Sequence, residues 1–203
     1  MLTLRGLIVC LPDAPTDDLV GVVEVLIEEG FSFFALPVGA DAFDDMVAIF
    51  GERATLGALR VASVDQVTAA SAAGARFVFS DVASGRIADA ASALELPCYL
   101  SAMTPTEVRA ALDTSATGVL LYPADVIGHA MAPRLAELGM AGRVIPLGGL
   151  GAYAAGEWGK AGAAAACVDN ALLGDAVSGG SLSMLRDRCG SFLTVEKAMA
   201  GRA

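Results

Sequence analysis

The chain has 203 residues, 55% hydrophobic and 18% charged, with 23 glycines and a formal charge of -10. That length makes one well-cored domain and is marginal for two, and so apolar a composition excludes a disordered chain. With 13 basic residues scattered along the sequence, there is no cluster of Lys and Arg to meet a nucleic-acid backbone.

Arg5 ahead of Gly6-Leu7-Ile8-Val9-Cys10-Leu11 has the outline of a secretory leader. The apolar run is short, meets Pro12-Asp13 and lacks a small-residue cleavage site, so it is predicted to be a first strand ending near Leu11. Asp17-Asp18 opens a helix through "DLVGVVEVLIEEG", whose Leu19, Val22, Val23, Leu26 and Ile27 form one apolar stripe closed by Gly30. Further strands are predicted to end near Pro37, Arg60, Asp81 and Ser101. Thr104-Pro105-Thr106-Glu107 then supplies an N-cap, a proline at the first helical position and an acid behind it.

Val119-Leu120-Leu121 forms a sixth strand ending at Tyr122, and a helix is expected to open at Gly128 with His129, the only histidine, in its first turn. The last two strands are predicted to end near Leu147 and Asp169, and Ser183 is expected to cap the final helix. Gly148, Gly149, Gly151 and Gly156 lack the G-x-G-x-x-G spacing and downstream acid of a dinucleotide site, and no cofactor is expected. The Ala-rich stretch after Lys160 is broken by Asp169, so no apolar segment reaches membrane-spanning length. Cys10, Cys98, Cys167 and Cys189 form no C-x-x-C pair and are expected to be buried free thiols, in keeping with a reducing cytoplasm.

The strand ends recur about every 20–26 residues, one β-α unit each. Eight such units predict a minimal (β/α)₈ TIM barrel occupying residues 1–203 as a single domain, with a doubly wound open sheet as the alternative. In either fold the functional end lies beyond the carboxyl ends of the strands.

Laid out by strand, the chain resembles the 2-keto-3-deoxy-6-phosphogluconate (KDPG) and 4-hydroxy-2-oxoglutarate (KHG) aldolases over nearly its whole length. The stretches that carry the resemblance are "ATLGALRVASVDQVTAASAAGARFVFSD", similar to the family's GAGTV-x-x-x-Q…AGA-x-F-x-x-SP run, then "MTPTEV", "LLYPAD", "IPLGGL" and the tail "DAVSGGSLSMLRDRCGSFL". The resemblance implies a class I aldolase-type barrel, a homotrimer in the cytoplasm and no metal. It also implies lost chemistry. The family's Schiff-base lysine stands in a strand reading Lys-Phe-Phe-Pro-Ala-Glu, and the matching residues here are Leu120-Leu121-Tyr122-Pro123-Ala124-Asp125, which puts Leu120 at the lysine position. The family's acid/base glutamate corresponds to Ala35, its arginine four residues on to Gly39, its carboxylate-holding threonine to Arg60, and its fifth-strand proline to Leu100. At the phosphate end Gly148-Gly149 are kept, while a Gly-Gly-Ser corresponds to Val168-Asp169-Asn170, where Asp169 would repel a phosphate.

The only lysines, Lys160 and Lys197, fall in helices expected outside the barrel, so no amine is offered for an imine. Arg60 at the mouth is either a carboxylate site or a structural tie to Asp65 or Asp81. Asp81, Asp125 and Asp169 end strands and are either an acid/base or hard-metal cluster or helix caps paired with arginine. No ligand spacing supports a metal. Tyr122 either lines the pocket or packs at the barrel top, and His129, without a serine or cysteine partner, reads as a surface or interface histidine.

The expected binding residues are therefore Arg60, Tyr122, Asp81, Asp125, Gly148, Gly149 and Asn170. The expected ligand is a small carboxylate, with neither nucleic acid nor membrane as partner. Three functions remain open. They are a degenerate aldolase relative that binds without Schiff-base chemistry, a lyase on a small oxo or hydroxy acid with different catalytic residues, and a structural partner of an active paralogue.

Overall fold

The computed structural model describes residues 2–201. Its strands are β1 (Gly6–Cys10), β2 (Phe33–Pro37), β3 (Thr55–Val61), β4 (Val78–Ser80), β5 (Cys98–Ala102), β6 (Gly118–Leu121), β7 (Val144–Pro146) and β8 (Ala165–Val168). Each ends within one residue of its predicted end. The helices are α1 (Thr16–Glu29), α2 (Phe43–Phe50), α3 (Val64–Ala72), α4 (Gly85–Ala93), α5 (Pro105–Leu112), α6 (Ala124–Ile127), α7 (Met131–Glu137), α8 (Ala152–Lys160), α9 (Asn170–Leu173) and α10 (Leu182–Ala200).

All pairings are parallel, in the order β7-β6-β5-β4-β3-β2-β1-β8. With β8 hydrogen-bonded to β1, the sheet curls round until β7 lies beside β8, a nearly closed barrel rather than a doubly wound sheet. One link across that seam is the Gly149 N–H, which donates to the Asp169 carboxylate at 3.1 Å.

The strands read as almost unbroken apolar runs because both faces are covered. In β8, Ala165 and Cys167 face the barrel interior while Ala166 and Val168 face the helices. The interior is filled. Phe77 and Phe79 pack tilted and Phe79 and Tyr99 edge-to-face, with ring centroids 4.9 and 5.5 Å apart, and Leu59, Leu120 and Ile145 belong to the same cluster. The aromatic layer needs small residues opposite: a Cβ on Gly57 would collide with the Phe77 ring. Outside, the α1 stripe buries Leu19, Val22, Val23 and Leu26, and Gly30 closes the helix at φ +110. Thr104 and Glu107 form a reciprocal capping box on α5, behind Pro105. All four cysteines are buried and free. Among the described residues no helix is long and apolar enough to cross a membrane.

Two expectations are corrected. His129 does not open a helix: Gly128, at φ +79, ends α6 after about one turn, and His129 lies in the link before α7. Ser183 does not cap α10. The turn through Gly179-Gly180 delivers Ser181 as the extended residue before Leu182, so Ser183 falls inside the first turn and its hydroxyl meets that of Ser181 at 2.8 Å.

Candidate functional site

The carboxyl ends of β3, β4, β6, β7 and β8 bring Arg60, Asp81, Tyr122, Gly148-Gly149 and Asp169-Asn170 to one end of the barrel. Arg60 holds φ +65, a left-handed backbone that a side-chain-bearing residue rarely adopts, at a point where the β3–β4 register shifts between Ala58 and Val61. The shift sends this one side chain out of an otherwise buried strand segment. Its guanidinium lies 5.2 Å from the Tyr122 ring centroid and 3.3 Å from Asp81 Oδ1. Burial pulls the Arg60 pKa down, but the Asp81 carboxylate and the Tyr122 hydroxyl outweigh it and raise the pKa, so the group is a permanent cation. The tie to Asp81 is long and both side chains are more than a third exposed, so it is weak and leaves guanidinium N–H groups for a ligand.

Arg60 and Tyr122 stand between two cavities. One, of about 380 Å³, also has Asp81, Ser101, Met103 and Glu107 on its walls. The other, of about 610 Å³, has Asp125, Gly148, Gly149, Asp169 and Asn170. The sequence marks Ser101 as a strand end and Glu107 as part of a helix cap, but gives no sign that they and Met103 form a cavity wall. Glu107 Oε2 accepts N–H bonds from Met103 and Thr104, which hold its pKa low and tie it to capping. The three aspartates do not converge: Asp81 lies on one cavity, Asp125 and Asp169 on the other. Among the described residues no three His, Cys, Asp or Glu side chains are grouped so that they could hold a metal ion.

Gly148 and Gly149 turn at φ +114 and +61. Asp169 Oδ2 accepts the Gly149 N–H, and its Oδ1 is buried without a hydrogen-bond partner. Asp125 crowds the same turn, so that a Cβ on Gly149 would lie 2.7 Å from Asp125 Oδ2.

Beneath the mouth, Leu120 and Ala35 are completely buried in the apolar interior. Leu100 faces the helices, and Gly39 lies on a separate cavity beside α2 and α3. Lys160 ends α8, paired with Glu157 at 2.6 Å, and Lys197 lies in α10, so both belong to the outer helical layer. His129 packs edge-on against Tyr153 at 5.4 Å and lines neither mouth cavity.

A family model for KDPG and KHG aldolase matches residues 2–182. No curated protein matches the chain in sequence. Among solved structures, the native KDPGal structure superposes with a TM-score of 0.85 at 20% identity, covering 100% of this chain and 99% of that one. The 4-hydroxy-2-oxoglutarate/2-dehydro-3-deoxyphosphogluconate aldolase from TTHB1 gives 0.80 at 24% identity, over 96% and 94% of the two chains. A KDPG aldolase from Legionella pneumophila, captured with pyruvate as a covalent carbinolamine, gives 0.77 at 19% identity, over 95% and 94%. At such identities the structural likeness speaks for the fold.

Proposed function

The chain belongs to the KDPG and KHG aldolase family, and from that premise we propose that it is a divergent member that has left Schiff-base chemistry behind and binds a small carboxylate at the barrel mouth through Arg60. The observation that carries this is Arg60 itself, a cation held by left-handed backbone against Tyr122 where two cavities meet. A guanidinium there offers a planar fork of donors matched to a carboxylate. An imine needs an amine at the barrel centre. Lys160 and Lys197 lie in the outer helices, and Leu120 and Ala35, matched by resemblance to the family's lysine and glutamate, are buried and apolar. The same kinship supports a homotrimer.

Two measurements test this. Incubation with pyruvate and borohydride leaves the intact mass unchanged, and a reduced adduct on Lys160 or Lys197 would overturn the loss of Schiff-base chemistry. In calorimetric titration with small mono- and dicarboxylates, Arg60→Ala weakens binding at least about thirtyfold, since removing one partner of a charge-assisted pair costs roughly 2–5 kcal/mol. Equal binding by the variant would retire Arg60 as the site.

A further inference from the structure

We propose that Asp169 is a specificity-determining residue: it fills the anion-binding turn after β7 with the chain's own carboxylate, so the mouth takes a short unphosphorylated acid and rejects its phosphorylated counterpart. The acid's carboxylate in this scheme rests on the reading of Arg60 given above. The exclusion of phosphate does not.

Successive backbone N–H groups gathered in a turn make a concave anion cradle. Gly148 and Gly149 make a turn at φ +114 and +61, and they border the 610 Å³ cavity that Arg60 also borders. In this chain the cradle already has its anion. The Gly149 N–H donates to Asp169 Oδ2 at 3.1 Å, across the seam between β7 and β8. Asp125 adds a second carboxylate against the same glycine. One oxygen of Asp125 accepts the Val126 N–H at 2.9 Å, and among the described residues no cationic side chain pairs with Asp125 or Asp169. A phosphate dianion arriving here finds its N–H donor engaged and two uncompensated negative charges beside it, a repulsive element of the kind that sets specificity. A ligand whose far end is a hydroxyl or an ammonium meets the opposite situation, because it donates to the carboxylate oxygens that crowd the turn. Arg60 fixes the acid end and Asp169 with Asp125 selects a donor end.

The test is calorimetric titration of wild type, Asp169→Asn, Asp169→Gly and Arg60→Ala with inorganic phosphate, glycerate and 3-phosphoglycerate, each variant's fold being checked by circular dichroism. Asp169→Gly removes the charge and frees the Gly149 N–H. It is expected to bind phosphate and 3-phosphoglycerate at least about tenfold more tightly than wild type, while glycerate, whose hydroxyl loses an acceptor, gains nothing. Asp169→Asn removes the charge but still accepts the N–H, and is expected to gain less. It also keeps the proposal testable should the glycine variant fail to fold. Wild type binding phosphate as tightly as the folded variants, or no gain in either, overturns the role of Asp169. If Arg60→Ala leaves glycerate binding unchanged, or if glycerate binds no form, the carboxylate reading of Arg60 falls by itself, and the phosphate titrations still decide on Asp169.

Discussion

For an arginine to hold φ +65 at the end of a strand, something must outweigh roughly 1–2 kcal/mol of steric cost. The contacts that Arg60 makes inside the chain do not obviously do so, since a half-exposed pair at 3.3 Å is worth about 0–1 kcal/mol. Strain of this kind collects where a side chain is needed in one place for binding. It separates two variants that are otherwise equivalent. Arg60→Gly tolerates the left-handed backbone and Arg60→Ala does not, so in denaturant titrations the glycine variant is expected to be the more stable of the two by about 1 kcal/mol. Both lose carboxylate binding. Equal stabilities would show that the backbone at this position is not left-handed in solution. The sequence places Arg60 at the mouth, as a carboxylate site or a tie to Asp65 or Asp81, and the tie to Asp81 is present; its left-handed backbone is not legible, because the register shift that turns it outward has no local signature.

Strands and long helices were legible because each is set by its own residues. Runs such as Val119 to Leu121 are buried on both faces, and the α1 stripe and the Thr104–Glu107 box mark helix bodies and starts directly. Short links were not, because the turns at Gly128 and Gly179 are set by single glycines at φ +79 and +84, which leave no periodic pattern to read. The contact between α10 and β1 was equally hidden. Glu196, buried on α10, accepts the Leu7 N–H of β1 from 189 positions away. Burial raises its pKa, partly countered by that N–H, so in the folded chain it holds its proton above the ordinary carboxylate range. The stability it contributes is full below its unfolded value of 4.5 and is lost as pH rises through the raised folded value. Glu24, Glu107 and Glu157, with lowered pKa values, contribute the opposite slope as pH falls. The difference between Glu196→Gln and wild type isolates the buried group. Gln keeps an acceptor for Leu7 without the charge, so the variant's melting temperature relative to wild type is expected to climb as pH goes from the acid range to neutrality. Each kcal/mol relieved is worth about 2–4 °C. Glu196→Ala, which leaves the Leu7 N–H unpaired, is expected to lose about 1–3 kcal/mol at either pH. A Glu196→Gln difference that stays flat with pH would mean that the Glu196 pKa is the same in the folded and the unfolded chain.

At the scale of the whole barrel, a site is assembled from several strands, and so its chemistry can be lost at several strands and not be recovered at one. Leu120 lies in β6 and Ala35 in β2, both in the sealed interior beneath the mouth. Leu120→Lys would place an amine among Leu59, Phe79 and Tyr99. Burial there favours the neutral amine, which is the nucleophilic form, so an imine with pyruvate is expected to become trappable by borohydride. Turnover is a separate matter. The proton transfers that follow need an acid/base group, typically worth about 10²–10⁴ in rate, and the apolar Ala35 side chain supplies none. An ammonium among aliphatic and aromatic side chains is also costly to bury, so the single variant is expected to melt below wild type. In a pyruvate-release assay on KDPG and 4-hydroxy-2-oxoglutarate, wild type and Leu120→Lys are expected to show no turnover, and Leu120→Lys with Ala35→Glu a small gain over both. On KDPG that gain is held down further by Asp169 at the far end of the mouth. Family-like turnover by Leu120→Lys alone would mean that the other strands still carry a working site, and measurable turnover by wild type would place the chemistry on side chains other than a lysine.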